Sequence, residues 1–278
     1  MFFYPNNIIE QVLRSGLASL LVALVLCCVN PFAFGVDYQL IKKWGSTGVL
    51  DGQFNNPATI SYDPSNEVVY VADLDNNRIQ KFDREGNFLS KWGVSGTADG
   101  EFYHPGDIET DSSGNLYVVD IENSRIQKFD GEGNFLMNWG NSGIGDGEFD
   151  HPGDIMIDDT NKSIYVTDIG NSRIQKFDYQ GNFLMKWGSP GNGDGQFNRP
   201  AGMALDPSDK IIYIADTKND RIQKFDMNGN FLSKWGSSGA SNGDFSRPTG
   251  IEFSPADGIV YTTDNDKKRI RVFDKNGN

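Results

Sequence analysis

The chain has few of the residues from which reactive or metal-binding sites are usually built. Its 278 residues include two cysteines and two histidines. Both cysteines, Cys27 and Cys28, lie in an apolar leader, so the rest of the sequence has no thiol, disulfide or cysteine-based metal site. The sequence also has no P-loop, dinucleotide fingerprint or nucleophile elbow, which argues against the enzyme classes that depend on them.

Positive charge is scarce as well. Lys and Arg number 25 against 38 Asp and Glu, giving a formal net charge of −13. Nucleic-acid binding needs clustered Lys and Arg that release counterions from phosphates, so we expect no nucleic-acid partner. An acidic surface of this kind favours solubility and attracts cations or basic ligands.

The first 35 residues differ in composition from the rest. Arg14 precedes an apolar stretch, Gly16–Val29, which is followed by the small residues Ala33 and Gly35. This order predicts a secretory signal peptide over residues 1–35, cleaved after Gly35. An uncleaved anchor is the alternative, and contact with a membrane is expected only in that case. Either way, the sequence predicts a secreted protein or one on the extracytoplasmic surface.

The remainder, residues 36–278, is dominated by a block of about 48 residues that recurs five times. A copy carries a Gly and a Phe, then x-P, an apolar run ending in Tyr-x-x-Asp, then R-I-x-x-F-D and G-N. A fixed period of this length indicates small units that bury their apolar faces by stacking. The copies start at Asp51, Asp99, Asp146, Asp194 and Asn242.

Each copy contains four short apolar runs of strand length. In the second copy they are Ile108–Asp111, Leu116–Asp120, Ile126–Phe129 and Phe135–Trp139. They are rich in β-branched and aromatic residues and are separated by turn residues. The sequence therefore predicts an all-β fold, a β-propeller with one four-stranded sheet per blade.

The two ends of the repeat array suggest how the ring closes. Residues 38–45 match the fourth-strand pattern F-L-x-K-W-G, while the last copy stops where its own fourth strand should begin. We therefore predict five blades, with the segment Tyr38–Trp44 completing the last one and leaving no open edge. A truncated six-bladed ring is the alternative.

Some side chains recur once per copy and are best explained by packing. We expect the five Trp residues at fourth-strand ends and the five Phe residues at third-strand ends to pack between blades. We also expect each copy to hold a charge pair, an Asp followed five residues later by an Arg, as a bidentate structural clamp. The pairs are Asp73–Arg78, Asp120–Arg125, Asp168–Arg173, Asp216–Arg221 and Asp264–Arg269.

These recurring residues resemble the NHL repeat. The fourth copy shows the pattern as P-A-G-M-A from Pro200, I-Y-I-A-D ending at Asp216, and N-D-R-I-Q-K-F ending at Phe225. The resemblance implies a β-propeller, most often six-bladed, that acts as a platform for binding partners. One enzymatic branch, the peptide-amidating lyase, has zinc-ligating His directly after the strand-opening Pro. Those positions hold no His in this chain: they are Ala58, Gly106, Gly153, Ala201 and Thr249.

The clearest departure from the repeat is His-Pro-Gly-Asp-Ile, which occurs in two adjacent copies. It places His104 with Asp107 and His151 with Asp154, where the carboxylates should line the central channel. His and Asp are ligands for divalent metals, so these four residues are a candidate divalent-metal site, and exposed, hydrated side chains are the alternative. Asp75, after Asp73, and Glu122, after Asp120, lie where a calcium loop would have ligands, although the rest of an EF-hand is missing.

The prediction from these patterns is a secreted, non-enzymatic NHL-type β-propeller that binds a protein, peptide or glycan. The competing hypothesis is a metal-dependent lyase or hydrolase centred on His104, Asp107, His151 and Asp154 at the channel mouth. A structural component of a surface layer or matrix is a third possibility. No cofactor is certain, and calcium or zinc is possible.

Overall fold

The computed structural model describes residues 40–239 and 243–278. The predicted leader, together with Tyr38 and Gln39, lies outside these residues. Nearly all regular structure in the described ranges is β-strand, and the helical residues there form two short 3-10 turns, Leu74–Asn76 and Thr217–Asn219. No helix in the described ranges has the length and apolar character needed to cross a membrane.

Five antiparallel sheets follow one another along the chain, as predicted for a five-bladed propeller. The first blade contains β3 (Pro57–Asp63), β4 (Val68–Asp73), β5 (Arg78–Asp83) and β6 (Phe88–Trp92). The second has β7 (Pro105–Thr110), β8 (Leu116–Asp120), β9 (Arg125–Phe129) and β10 (Phe135–Trp139). The third has β11 (Pro152–Asp158), β12 (Ser163–Asp168), β13 (Arg173–Asp178) and β14 (Phe183–Trp187). The fourth has β15 (Pro200–Asp206), β16 (Ile211–Asp216), β17 (Arg221–Asp226) and β18 (Phe231–Trp235).

The fifth sheet has three strands in the described residues: β19 (Pro248–Ser254), β20 (Ile259–Asp264) and β21 (Arg269–Asp274). Between successive blades, a short parallel contact joins the end of one fourth strand to the Phe before the next first strand. In front of the first blade this contact is the pair β1 (Ser46–Thr47) and β2 (Gln53–Phe54). Single bridges such as Ser95 to Phe102 repeat it later in the chain.

First strands begin earlier than the apolar pattern indicated. In the second blade β7 starts at Pro105, whereas the sequence placed the strand from Ile108. The register shifts between Pro105 and Ile108, so the first residues form a bulge that hides the alternation of the strand. The first strand of every blade has the same irregularity after its opening Pro.

The core is layered between blades, as the recurring aromatic residues predicted. Tyr70 of the first blade and Phe129 of the second are both buried in one cluster. Trp92, at the end of the first blade, lies 5.9 Å from Phe129 between ring centroids. Equivalent Trp–Phe pairs follow at the next three boundaries. Each blade therefore covers the apolar face of its neighbour, and the largest fully buried side chains are Tyr and Phe rings.

The N-terminal segment differs from the prediction. The ring centroids of Trp44 and Phe82 lie 6.4 Å apart. Trp44 thus contacts the first blade in the same way as the fourth-strand Trp of one blade contacts the third-strand Phe of the next. However, residues 40–45 form no strand, and the described residues give β21 no fourth partner. In the first four blades a fourth-strand Phe packs edge-on against the third-strand Phe, as Phe88 does on Phe82. Leu40 stands at that position here, and residues 40–44 do not form the predicted strand pairing with β21.

Candidate functional site

The Asp–Arg pairs form in all five blades, where they end the second strand and begin the third. The distance from the Arg Nε to the Asp Oδ2 is 2.7 or 2.8 Å in every blade. The pairing is not bidentate as expected. The Nη atoms of Arg78 instead donate to the backbone carbonyls of Val49, Leu50 and Gln53. One guanidinium therefore fastens the loop between blades to its own blade, which is a structural role.

Sequence reasoning missed two further members of this clamp. Asn76 and Gln80 also donate to the Asp73 Oδ2, at 2.9 and 3.1 Å. Asn and Gln recur at these positions in the first four copies, which is the signal that could have revealed them. In the fifth blade Lys267 and Arg271 replace them, and the side chain of Arg269 is 36% exposed against 7–10% for its equivalents.

Directly above the clamps, the loops entering first strands meet the loops that join second to third strands. The Glu122 amide donates to the carbonyl of Tyr103, and the Lys218 amide donates to that of Asn198. The other blades make equivalent bonds. We call the surface formed by these two sets of loops the entrance face. Several of its exposed side chains differ from copy to copy.

The residue before the strand-opening Pro has a left-handed backbone in all five blades. Its φ is +57° at His104 and +50° at His151, and +55° to +59° at Asn56, Arg199 and Arg247. The unusual backbone is therefore a property of the repeat and gives the two histidines no special strain. What changes from blade to blade is the side chain that it presents: Asn, His, His, Arg, Arg.

Across the first three blades the entrance face carries alternating carboxylates and imidazoles, which we call the His–acid row. His104 lies 3.9 Å from both Asp75 and Glu122. His151 lies 3.8 Å from the other oxygen of Glu122 and 2.6 Å from Asp150. The row is solvent-accessible, with side chains 38% to 57% exposed. Sequence analysis named four of its members and missed Asp150.

Asp107 and Asp154, which we expected to line the central channel, are buried and half-buried, respectively, and bind backbone amides. The Asp107 Oδ2 accepts from the Ile155 amide at 2.9 Å, and the Asp154 Oδ2 accepts from the Met203 amide at 2.8 Å. Each carboxylate thus ties its blade to the next one around the ring. Burial raises the pKa of Asp107 to about 6. Burial, followed by the nearby charge of Asp107, raises the pKa of Asp154 well above its ordinary value.

Two glutamates that sequence analysis missed also lie in the channel. Burial raises the pKa of Glu252 to about 8. Burial and then the charge of Asp107 raise that of Glu109 well above its ordinary range. Glu109 lies two residues after Asp107, and Glu252 is its equivalent in the fifth blade. Because alternate residues of a strand share one face, this spacing could have revealed both glutamates. The channel therefore gathers four carboxyl groups with a shared tendency to hold protons.

The four residues of the candidate metal centre thus fall into two places. His104 and His151 lie on the entrance face, whereas Asp107 and Asp154 point into the channel and bond to amides. Asp75 and Glu122, predicted as calcium ligands, are brought together with the histidines instead. Within residues 40–239 and 243–278, no cluster of three or more His, Cys, Asp or Glu side chains has a geometry that could hold a metal ion.

The other half of the entrance face, in the fourth and fifth blades, is cationic. Its exposed cations, the cationic sector, are Arg199, Lys218, Arg247, Lys267 and Lys268. Two carboxylates lie among them. The Asp266 Oδ1 is 3.3 Å from the Arg247 guanidinium, and the Asp220 Oδ1 accepts from the Arg247 amide at 2.8 Å. The entrance face is therefore divided by charge, a feature that the overall charge of −13 conceals.

Comparison with known families supports the repeat assignment. A family model described as a six-bladed β-propeller matches residues 111–180 and 159–236. The NHL repeat model matches residues 54–82 in the first blade. The two matches together reach the first four of the five blades that the structure describes.

Two curated proteins share 46% identity with this chain over 46 residues. They are protein brain tumor of Drosophila melanogaster and the B-box type zinc finger protein ncl-1 of Caenorhabditis elegans. The alignments cover 16% of this chain, 4% of the fly protein and 5% of the nematode protein. The chain thus matches about one blade of much longer relatives.

Proposed function

Because the chain is an NHL-repeat β-propeller, we propose that it is a non-enzymatic scaffold that binds a polypeptide partner through its entrance face outside the cytoplasm. NHL-type propellers in general serve protein interaction. The choice of the entrance face and of a polypeptide partner is supported by the distribution of charge and burial over the blades.

The observation that carries the proposal is the contrast between constant and variable positions. Buried Tyr, Phe, Asp and Arg side chains recur at the same place in almost every blade. On the entrance face, by contrast, equivalent positions hold Asp75, Glu122, Gly170, Lys218 and Asp266. Packing makes no demand on exposed side chains, so a charge pattern that changes from blade to blade suits recognition of an asymmetric partner.

The surroundings of the two histidines favour binding over catalysis. Each imidazole faces carboxylates, and the His151 Nδ1 hydrogen-bonds to the Asp150 Oδ1 at 2.6 Å. A nucleophilic site would instead pair an imidazole with a hydroxyl or thiol within hydrogen-bonding distance. Charged, half-exposed side chains of this kind make good rim contacts in protein interfaces.

The extracytoplasmic location is supported by the apolar stretch at residues 16–29 and the small residues that follow it. Expression of the full sequence, followed by N-terminal sequencing of the protein recovered outside the cell, tests this part directly. A mature chain starting after Gly35 would support the proposal. Exclusive recovery of uncleaved protein from the cytoplasm would contradict it.

The binding role is tested by capture from an extracytoplasmic fraction on the immobilised purified chain. The variant set is Glu122→Lys on the His–acid row, Arg199→Glu/Lys218→Glu on the cationic sector, and Lys162→Glu/Lys210→Glu as a control. The control residues are exposed and lie in turns between first and second strands, at the opposite end of the blades. We expect loss of a specific partner with at least one entrance-face variant and retention with the control. Equal capture by all variants would remove the entrance face from the proposal.

A further inference from the structure

The cations of this acidic protein are treated in two different ways. Along the outer rim, fourth-strand lysines are paired: Lys91 contacts Asp51, Lys186 contacts Asp146 at 2.5 Å, and Lys234 contacts Asp194 at 2.6 Å. In the cationic sector, Arg199, Lys218, Lys267 and Lys268 have no carboxylate within ion-pairing distance among the described residues, and all are exposed. Four unpaired, exposed cations thus lie together on one half of one face of a protein with net charge −13.

Backbone hydrogen bonds hold these cations in a continuous surface. Lys218 is fixed beside Arg199 because its amide donates to the Asn198 carbonyl at 3.0 Å. The fourth blade is tied to the fifth because the Arg247 amide donates to Asp220. In turn, the amide of Asn265 donates to the Arg247 carbonyl at 3.2 Å and brings the loop with Lys267 and Lys268 alongside. The cationic side chains therefore project from a rigid base, which lowers the entropy lost on binding.

We propose that the cationic sector is the docking site for an acidic peptide segment of the partner, rich in Asp and Glu. This inference rests on the proposed scaffold function and names the chemistry of its partner. Five cations against two carboxylates leave a local positive excess. Arg199 and Arg247 can each hold a carboxylate through two parallel N–H donors, while the lysines act as more adaptable point charges.

The neighbouring half of the face argues for a peptide over a longer polyanion. The His–acid row adds three carboxylates, those of Asp75, Glu122 and Asp150, on the same surface. A nucleic-acid backbone is charged along its whole length and would carry phosphates into this row. A peptide can end its acidic run over the fifth blade and continue with neutral or basic residues over the first three. Such a two-signed segment matches both halves of the entrance face.

Fluorescence anisotropy with defined probes tests the proposal. The probes are a labelled peptide of alternating Asp and Glu, the same peptide extended by Gly-Gly and several Lys, and an oligonucleotide of the same charge as the first. At low salt we expect both peptides to bind, the extended one more tightly, and the oligonucleotide more weakly. Added salt should weaken all three, because exposed charges are screened.

The variants locate the binding. Arg199→Glu/Lys218→Glu and, separately, Lys267→Glu/Lys268→Glu should each weaken binding of the acidic peptide by about tenfold or more, because like charges then face it. Lys162→Glu/Lys210→Glu changes the net charge by the same amount on the opposite face and should alter the affinity by less than about twofold.

Three results would overturn the proposal: no binding of either peptide, equal weakening by the control, or tighter binding of the oligonucleotide than of the peptides. These results are distinguishable from failure of the scaffold function. If the peptides do not bind but Glu122→Lys still abolishes capture of a partner, the scaffold role stands and only its acidic ligand is wrong.

Discussion

The loop between the second and third strands contains two kinds of charged residue within a few positions. In the second blade, Asp120 is fully buried and holds Arg125, whereas Glu122 is 38% exposed and faces both histidines. Asp120 has an Asp counterpart in every blade, whereas the position of Glu122 holds Asp in the first and fifth blades, Gly in the third and Lys in the fourth. One loop therefore serves the fold at one position and is free for recognition two residues later.

The channel carboxylates form a third class. Asp107, Glu109, Asp154 and Glu252 occupy the channel and yet occur in only some of the blades. Two of them hold backbone amides of the next blade, so they contribute to assembly of the ring. Because burial raises their pKa values, they also make that assembly sensitive to pH. Buried charges, whether repeated in every blade or not, therefore serve the fold. Exposed charges that differ between blades are available for binding.

The largest effect is expected from breaking a repeated clamp. Arg173→Met leaves the fully buried Asp168 without its cation and should lower the free energy of unfolding by about 3–5 kcal/mol. Arg269→Met, where the Arg side chain is 36% exposed, should cost clearly less because water reaches the carboxylate. Urea unfolding of both variants measures the difference. Equal losses would show that the fifth clamp is as important as the third.

A smaller effect is expected from the channel. Glu252 has a pKa of about 8 in the folded protein against an ordinary 4.5. The unfolded chain releases this proton first, so stability should fall as the pH rises from about 4.5 to about 8 and then level off. Glu252→Gln removes the titration and should make the protein more stable than wild type at alkaline pH, where folding keeps a buried carboxylate charged.

Urea unfolding at a series of pH values checks this second prediction. Ser254→Ala, a change near the end of the same first strand, serves as the control and should keep the pH dependence of the wild type. If Glu252→Gln unfolds with the same pH dependence as the wild type, the glutamate is ionised in the folded channel and our account of its pKa is wrong.

The His–acid row should matter little for stability. Its side chains are exposed, so His104→Ala/His151→Ala should change the free energy of unfolding by no more than about 1 kcal/mol. Metal analysis of the wild type and this variant provides the second readout. Stoichiometric zinc in the wild type that disappears in the variant would favour the metal-dependent lyase or hydrolase over the scaffold.

The smallest effect on stability is expected in the cationic sector. Arg199→Glu/Lys218→Glu alters exposed cations that have no carboxylate partner within ion-pairing distance in the described residues, so unfolding should shift by about 0.5 kcal/mol or less. The same variant should nevertheless show the loss of acidic-peptide binding given above. Thermal unfolding and anisotropy on one preparation separate the two. A large loss of stability would assign these cations to the fold.

Much of the fold could be predicted from the repeat. The five blades, the Trp–Phe packing and all five Asp–Arg pairs follow from residues spaced one period apart, because each blade must solve the same packing problem. The bulge at Pro105 was missed since it interrupts the alternation on which strand assignment depends. The closing strand was not found at residues 40–44, because a match to the sequence pattern of a fourth strand does not by itself specify a hydrogen-bonded partner.

The candidate site was less predictable. The sequence placed Asp107 beside His104 because they are three residues apart. In the structure, the bulged strand β7 buries Asp107 and leaves His104 on the entrance face. Glu122 meets both histidines only because two blades lie side by side. The division of the entrance face into acidic and cationic halves likewise depends on which blades are neighbours in the ring.

By itself, the sequence determined the repeating four-stranded blade, because the periodic apolar and turn residues specify the local strands and their buried faces. Tertiary structure alone decided which charges became structural and which remained available to a partner. Burial and hydrogen bonding of these charges depend on contacts between blades. Residues about 48 positions apart in the sequence come into contact only when the blades pack together.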